Sequence, residues 1–125
     1  HIRDNSLVGK GSQVGSFVEL KNAKLKESVM AKHLSYLGDI EIGNITNIRA
    51  GTVIANFDGK QKHQTYVGQK VFIGSNSLII APRSIGDSAF IAGGSVITKD
   101  IPPKALAVER AELKILEDKS KIKDE

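Results

Sequence analysis

Residues 67–97, VGQKVFIGSNSLIIAPRSIGDSAFIAGGSVI, carry an aliphatic side chain at every sixth position: Val67, Ile73, Ile79, Ile85, Ile91 and Ile97. Gly68, Gly74 and Gly86 directly follow three of them. The beat also runs through Ile42, Ile48 and Ile54, and through Val8, Val14 and Leu20. A period of six fits neither an amphipathic helix nor an alternating strand. It fits a coil of hexapeptides, each turning one aliphatic side chain inward and bending at small or polar residues. Three hexapeptides make a triangular rung of about 18 residues, and rungs stack at roughly 4.8 Å. Residues 1–110, less one insertion, supply about five rungs, enough to bury a continuous aliphatic column. Gly and Asn are expected at the corners, where positive φ angles are needed. The expected architecture is an all-β parallel β-helix in one domain, with a narrow core suited to 12 Gly, no Trp and 5% aromatic residues.

Composition sets further bounds. No run of about 20 apolar residues reads as a membrane span. The absence of cysteine removes disulfides and thiolate zinc sites, in keeping with a reducing compartment. The N-terminus has no signal-like apolar stretch. The chain opens in mid-pattern at His1-Ile2-Arg3 without Met, so a fragment of a longer chain is expected. The net charge of +4 would suit an anionic ligand, but no aromatic residues interleave with the lysines, which disfavours single-strand nucleic acid. The mixed-charge tail, 111–125, with Leu113, Leu116 and Ile122, reads as a short helix or a frayed end.

Chemistry is expected where the repeat breaks. Lys21–Asp39 loses the hexad glycines, and Asn56–Tyr66, NFDGKQKHQTY, lacks the aliphatic beat and reads as a loop of about eleven residues. Both hold Lys and His, a pairing suited to binding an anion and moving a proton. His33 lies near Tyr36, and Glu19 precedes it by somewhat less than one rung. If those positions meet on adjacent rungs, the carboxylate would hold the imidazole in one tautomer and raise its basicity. The alternative is a corner histidine with a neutral hydrogen bond. His63, in the loop, is expected to be exposed. Histidines as far apart in sequence as His1, His33 and His63 make a poor zinc site, and no metal is expected.

The run from Ser16 to Pro82, SFVELKNAKLKESVMAKHLSYLGDIEIGNITNIRAGTVIANFDGKQKHQTYVGQKVFIGSNSLIIAP, resembles the acetyltransferase half of the bifunctional glucosamine-1-phosphate acetyltransferase / N-acetylglucosamine-1-phosphate uridylyltransferase family. The likeness continues through IAGGSVITKDIPPKALAVERA. The blocks HLSYLGD and ANFDGKQKHQT carry it most specifically, because they are interruptions of the repeat.

The resemblance implies a left-handed β-helix that forms a homotrimer with sites between subunits, in the bacterial cytoplasm. The implied reaction moves acetyl from acetyl-CoA to the 2-amine of glucosamine-1-phosphate, for UDP-N-acetylglucosamine and cell-envelope synthesis, with no nucleic acid or membrane partner. The uridylyltransferase half would precede His1. By the same resemblance His33 is the general base, Glu19 orients it and Asn56 holds the amine. Direct transfer without an acyl-enzyme agrees with the lack of cysteine. Arg3, Lys21 and Lys62 fall at sugar-phosphate positions, Tyr36 and Asn47 at further sugar positions. Ala50, Ser75, Gly93 and Arg110 fall on the acetyl-CoA side, where a backbone N–H near Ala50 would face the oxyanion. Phe57 and Gly93 depart from the family's common Tyr and Ala. Two other readings remain: a hexapeptide acyltransferase acting on another amino sugar or an amino acid, and a non-catalytic trimeric scaffold. The first would not need the three cations to converge. The second would show no acetyl transfer at all.

Overall fold

The computed structural model describes residues 1–122. It is a left-handed parallel β-helix, as the resemblance implies, and among the described residues its strands join in one sheet and pair parallel throughout. Register gives the length of each turn. Gln13 pairs with Met30 and Met30 with Asn47. Asn47 pairs in turn with Phe72, Phe72 with Phe90, and Phe90 with Leu106. The turn between Asn47 and Phe72 is the long one, because it holds the loop.

The six-residue beat becomes the core. Leu20, Ile42, Ile48, Ile54, Val67, Ile73, Ile79, Ile85, Ile91 and Ile97 are all buried. Each such side chain contributes roughly 1.5–3 kcal/mol by leaving water. Val8 is 40% exposed because its turn has a neighbour on one side only.

Two expectations need correction. Lys21–Asp39, read as an interruption of the repeat, continues the wall, since it lies largely within the strands Gln13–Leu25 and Met30–Ile42, which pair with each other. The glycines are lost there, but the inward side chains Ala23, Leu25, Val29, Ala31 and Leu37 are kept and buried. The loop is also shorter than the sequence suggests, because Thr65 and Tyr66 already pair with Ile40 and Glu41. Of the two readings of the tail, the frayed end agrees with the structure, since Ala111 to Ile122 forms neither strand nor helix and Leu113, Leu116 and Ile122 lie exposed. The rest of that tail, 123–125, lies outside the described residues.

The corners are more regular than expected, and less dependent on glycine. One corner bends at Gly11, Ser28, Ile45, Lys70, Ser88 and Lys104, the next at Phe17, Leu34, Gly51, Asn76 and Gly94, the third at Asn5, Asn22 and Asp39, all with positive φ. Stacking of successive rungs forces the same conformation at each level. Ile45, Phe17 and Leu34 therefore adopt a backbone their side chains disfavour.

Candidate active site

Two corners carry the candidate residues. At the first, positions 22, 39 and 56 recur at a sequence step of 17, one per turn. Asn22 Nδ2 donates to Asp39 Oδ1 at 2.9 Å, and Asn56 Nδ2 donates to Asp39 Oδ2 at 2.8 Å. Lys21 Nζ reaches the same Oδ2 at 3.2 Å, and Asn56 Nδ2 also lies 3.2 Å from the Tyr36 hydroxyl. Arg3 and Glu19 pair at 3.2 Å on the adjoining face. His1, Arg3, Asn5, Lys21, Asn22 and Asp39 line a cavity of about 550 Å³ here.

Charge at this corner is finely set. Burial pushes the Asp39 carboxyl up, but hydrogen bonds from Asn22, Asn56 and Lys21 and the Lys21 charge outweigh it, holding the pKa below 3.8. Hydrogen bonding with Lys62 raises Lys21, burial lowers it and Asp39 raises it again, leaving it above 10.5. Lys62, beside the Lys21 ammonium, is pushed below 10.5. An incoming dianion would relieve that crowding.

The loop holding Lys62 is pinned locally. Asp58 Oδ1 accepts from the Lys60 and Gln61 N–H groups at 2.8 and 2.7 Å, and His63 Nε2 lies 2.7 Å from Asp58 Oδ2. The Gln61 N–H, then His63 and the Lys60 N–H, hold the Asp58 carboxyl well below the usual carboxylate range. His63 is thus partly covered and partnered rather than free in solvent.

The second corner runs through His33, Ala50, Ser75, Gly93 and Arg110, one residue per turn. Inward hydroxyls fix its bends: Thr52, Ser77 and Ser95 donate to the carbonyls of Arg49, Gly74 and Ala92 at 2.8, 2.7 and 2.6 Å. Carbonyls join the levels, accepting from Asn76 N–H at Ala50 and from Gly94 N–H at Ser75, at 2.9 and 2.8 Å. Arg110 forks onto the Gly93 carbonyl through Nε and Nη2 at 3.1 and 2.9 Å. His33, Asn47, Ala50 and Ser75 line a cavity of about 300 Å³ together with Lys32 and Arg49.

The structure therefore groups Arg3, Glu19, Lys21, Tyr36, Asn56 and Lys62 on one side, and His33, Asn47, Ala50, Ser75, Gly93 and Arg110 on the other. Among the described residues no hydrogen bond joins Glu19 to His33. In the register of the two long strands Glu19 sits beside Tyr36, and His33 beside Ser16. One face of the coil, on the order of 16–20 Å across, separates His33 from Asp39. Asp39 and Asn22 were missed by the sequence reading, although the recurrence of Asn and Asp once per turn marks them. Among the described residues no three His, Cys, Asp or Glu side chains converge as a metal site, and no helix is long and apolar enough to cross a membrane.

Comparison with known proteins bears on the chain as a whole. The chain is 86% identical over 121 residues to the bifunctional protein GlmU of Hydrogenobaculum sp. (strain Y04AAS1), and 57% identical over 122 residues to GlmU of Aquifex aeolicus (strain VF5). This chain matches a segment of GlmU. The matches take in 97% and 98% of the chain, which spans 26% of the length of either relative. No protein-family profile matches it. Among solved structures it resembles the acetyltransferase domain of PglB from Neisseria gonorrhoeae, with a TM-score of 0.78 at 19% identity, over 86% of this chain and 50% of that one. That domain has also been solved in complex with acetyl coenzyme A. AntD, an N-acyltransferase from Bacillus cereus, gives a TM-score of 0.71 at 16% identity, over 86% of this chain and 74% of that one. At these identities the likeness to GlmU carries the sequence relationship, and the solved structures carry the fold.

Proposed function

We propose that this chain is an acyltransferase that moves acetyl from acetyl-CoA to the 2-amine of glucosamine-1-phosphate. The observation that carries the reading is the Lys21–Lys62 pair, with Arg3 nearby, set beside Asn56 and Tyr36. Glucosamine-1-phosphate presents a dianion on C1 and an amine on the neighbouring C2, and these side chains offer cations for the first and an amide for the second. The match of nearly the whole chain to GlmU supports the same reaction.

The corner of small residues suits acetyl-CoA, the acyl donor. Ala50, Ser75 and Gly93 leave backbone exposed along a line that ends at Arg110, a cation for the cofactor's phosphates. His33 takes one proton from the substrate ammonium so that nitrogen gains a lone pair and attacks the thioester carbonyl; as the adduct collapses the C–S bond breaks and the extra proton left on nitrogen passes to the departing coenzyme A sulfur. Acetyl passes directly between substrates. Arg3 engages only Oε2 of Glu19, which leaves Oε1 to accept from an imidazole.

His33 and Asn56 stand at different corners of one chain, so the reading includes a homotrimer in which a corner of one copy faces a corner of the next. The exposed apolar side chains Phe17 and Leu34 at the corner of His33, and Val53 on the face beside it, support such packing. The enzyme would work in the bacterial cytoplasm, where its donor is made.

Release of free coenzyme A thiol tests the whole reading, with glucosamine-1-phosphate as acceptor and glucosamine as control. Release with the phosphorylated sugar alone is the expected result. Equal release with both would remove the cationic cluster from the mechanism, and release with neither from folded protein would end the proposal.

A further inference from the structure

Asp39 is the one carboxylate in the corner formed by Asn5, Asn22, Asp39 and Asn56. It sits with its side chain 10% exposed, against Lys21 at 16%. Three donors meet its two oxygens: Asn22 on Oδ1, Asn56 and Lys21 on Oδ2. An ionised carboxylate accepts and never donates. Asn56 must therefore turn its amino group inward.

That orientation has a consequence for the other end of the amide. Asn56 Nδ2 is spent on Asp39 and on the Tyr36 hydroxyl, at 2.8 and 3.2 Å. Its Oδ1 is left as the outward group, an acceptor and not a donor. An amine or ammonium donates to such an oxygen, whereas a flipped amide would set N–H against N–H. Asp39 also holds the Lys21 ammonium in place on the phosphate side. One buried carboxylate thus sets the polarity of the group facing the amine and the position of a cation facing the phosphate.

We propose that Asp39 is a positioning residue for the acceptor: it fixes Asn56 with its oxygen toward the substrate amine and anchors Lys21 for the phosphate. The inference rests on the acceptor assigned above and extends it to a residue that touches neither substrate. The alternative is that Asp39 only holds the corner together.

Asp39→Asn separates these, because Asn tolerates the left-handed backbone that Asp39 adopts, with φ of 49°. The amide introduced there carries no charge to hold Lys21, and its one oxygen faces Asn56 and Lys21 only when Asn22 turns its own amide over to accept from the new N–H, so Asn56 is no longer fixed in one orientation. The kcat with glucosamine-1-phosphate should fall about ten- to hundred-fold, the scale seen when a partner that orients a functional side chain is lost. The KM for acetyl-CoA, which binds at the other corner, should stay unchanged.

The double variant Asn22→Asp/Asp39→Asn gives the sharper test. The carboxylate moved one rung down would accept from the amide that replaces it, whose oxygen then faces Asn56 and Lys21 again. Most of the lost kcat should return. Exchange of the Asn56 side-chain amide protons, followed by NMR, reads the orientation without any turnover. They should exchange slowly in the wild type and the double variant, and fast in Asp39→Asn.

A wild-type kcat in Asp39→Asn would overturn the proposal, as would a double variant no faster than the single. Fast exchange at Asn56 in the wild-type chain would overturn it even if no variant folds. If the wild-type chain fails to acetylate glucosamine-1-phosphate, the acceptor assignment falls, and the exchange measurement still decides what Asp39 does to Asn56.

Discussion

The two corners are built in opposite ways. The corner at Asn22, Asp39 and Asn56 is built of charged and amide side chains already bonded to one another. The corner at His33, Ala50, Ser75 and Gly93 is built mostly of small side chains, with its hydrogen bonds made by backbone and by inward hydroxyls. A compact, highly charged acceptor needs groups held in fixed positions, since each misplaced charge weakens both binding and attack. A long acyl carrier needs room along several rungs and few obligations. The β-helix supplies both because each corner repeats one environment at every level, and a substitution at one level changes it locally.

His33 stands at the open corner yet is assigned chemistry on a substrate held at the other. Its removal should produce the largest effect. His33→Ala is expected to lower kcat/KM by about 10²–10⁴-fold, the usual range for a lost general base, with the oligomer intact by sedimentation. A loss below about tenfold would mean that proton removal belongs elsewhere. The contrast would then fail, because the open corner would hold only the donor.

At the acceptor corner the test is Lys62. Its replacement by Ala should raise KM for the sugar phosphate about ten- to hundred-fold while leaving KM for acetyl-CoA alone, as expected for a charge-assisted hydrogen bond to phosphate. A rise in the acetyl-CoA value instead would reverse the assignment of the two corners. The pH dependence follows from the same side chain. Because Lys21 depresses the Lys62 pKa in the free protein, the ammonium proposed to bind the phosphate is lost below the ordinary value of 10.5 as pH rises. A plot of log KM for the sugar phosphate against pH should turn upward before 10.5, and the turn should vanish in Lys62→Ala.

Acid should act on the same corner from the other side. The Asp39 pKa is lowered in the folded chain, so its contribution to stability is full above the unfolded value near 3.8 and is lost as pH falls through the folded one. Asp39→Asn should flatten the fall of thermal stability below about pH 4. An unchanged acid limb would mean that the three hydrogen bonds at Asp39 contribute nothing to its ionisation.

How far the sequence reached also differs between the corners. The column of Ile and Val at every sixth residue was legible because burial repeats with the coil. The later bends of the open corner, at Gly51, Asn76 and Gly94, were legible for a similar reason, while those at Phe17 and Leu34 were not, because neither residue type favours a positive φ. The acceptor corner was only half legible. Lys21, Tyr36, Asn56 and Lys62 came from the likeness to a known family, while Asp39 stayed hidden inside a segment read as an interruption. Its signal was a recurrence at 17, one short of the three full hexads of an ideal rung. The same turn of 17 residues sets Glu19 beside Tyr36, three residues beyond His33, where three full hexads would have set it beside Leu37. Register errors of this size are harmless to a fold argument and decisive for a site, because they move a side chain to a different face.

The smallest effects refine the description of the open corner. Gly74 and Gly93 lie one rung apart there, and a Cβ meets very different surroundings at each. At Gly74 it would collide with the Gly93 backbone nitrogen and come within 2.8 Å of the Ile91 carbonyl oxygen, both backbone atoms that cannot rotate away. Gly74→Ala should cost about 1–3 kcal/mol of stability, the range for overpacking, measured by denaturant unfolding.

At Gly93 the nearest atom is the Ser75 carbonyl oxygen at 3.1 Å, and φ lies outside the left-handed region, so a methyl group fits after a small shift of its neighbour. Gly93→Ala is therefore expected to change stability by less than about 0.5 kcal/mol, within the range of substitutions away from packed features. Its KM for acetyl-CoA should stay within about twofold, because Ala adds one methyl to a surface that already has room for it. A larger change in KM with unchanged stability would place the carrier against the backbone at residue 93 itself. The open corner would then be a fitted groove, and its contrast with the acceptor corner would be one of materials, side chain against backbone, with equal demands on precision.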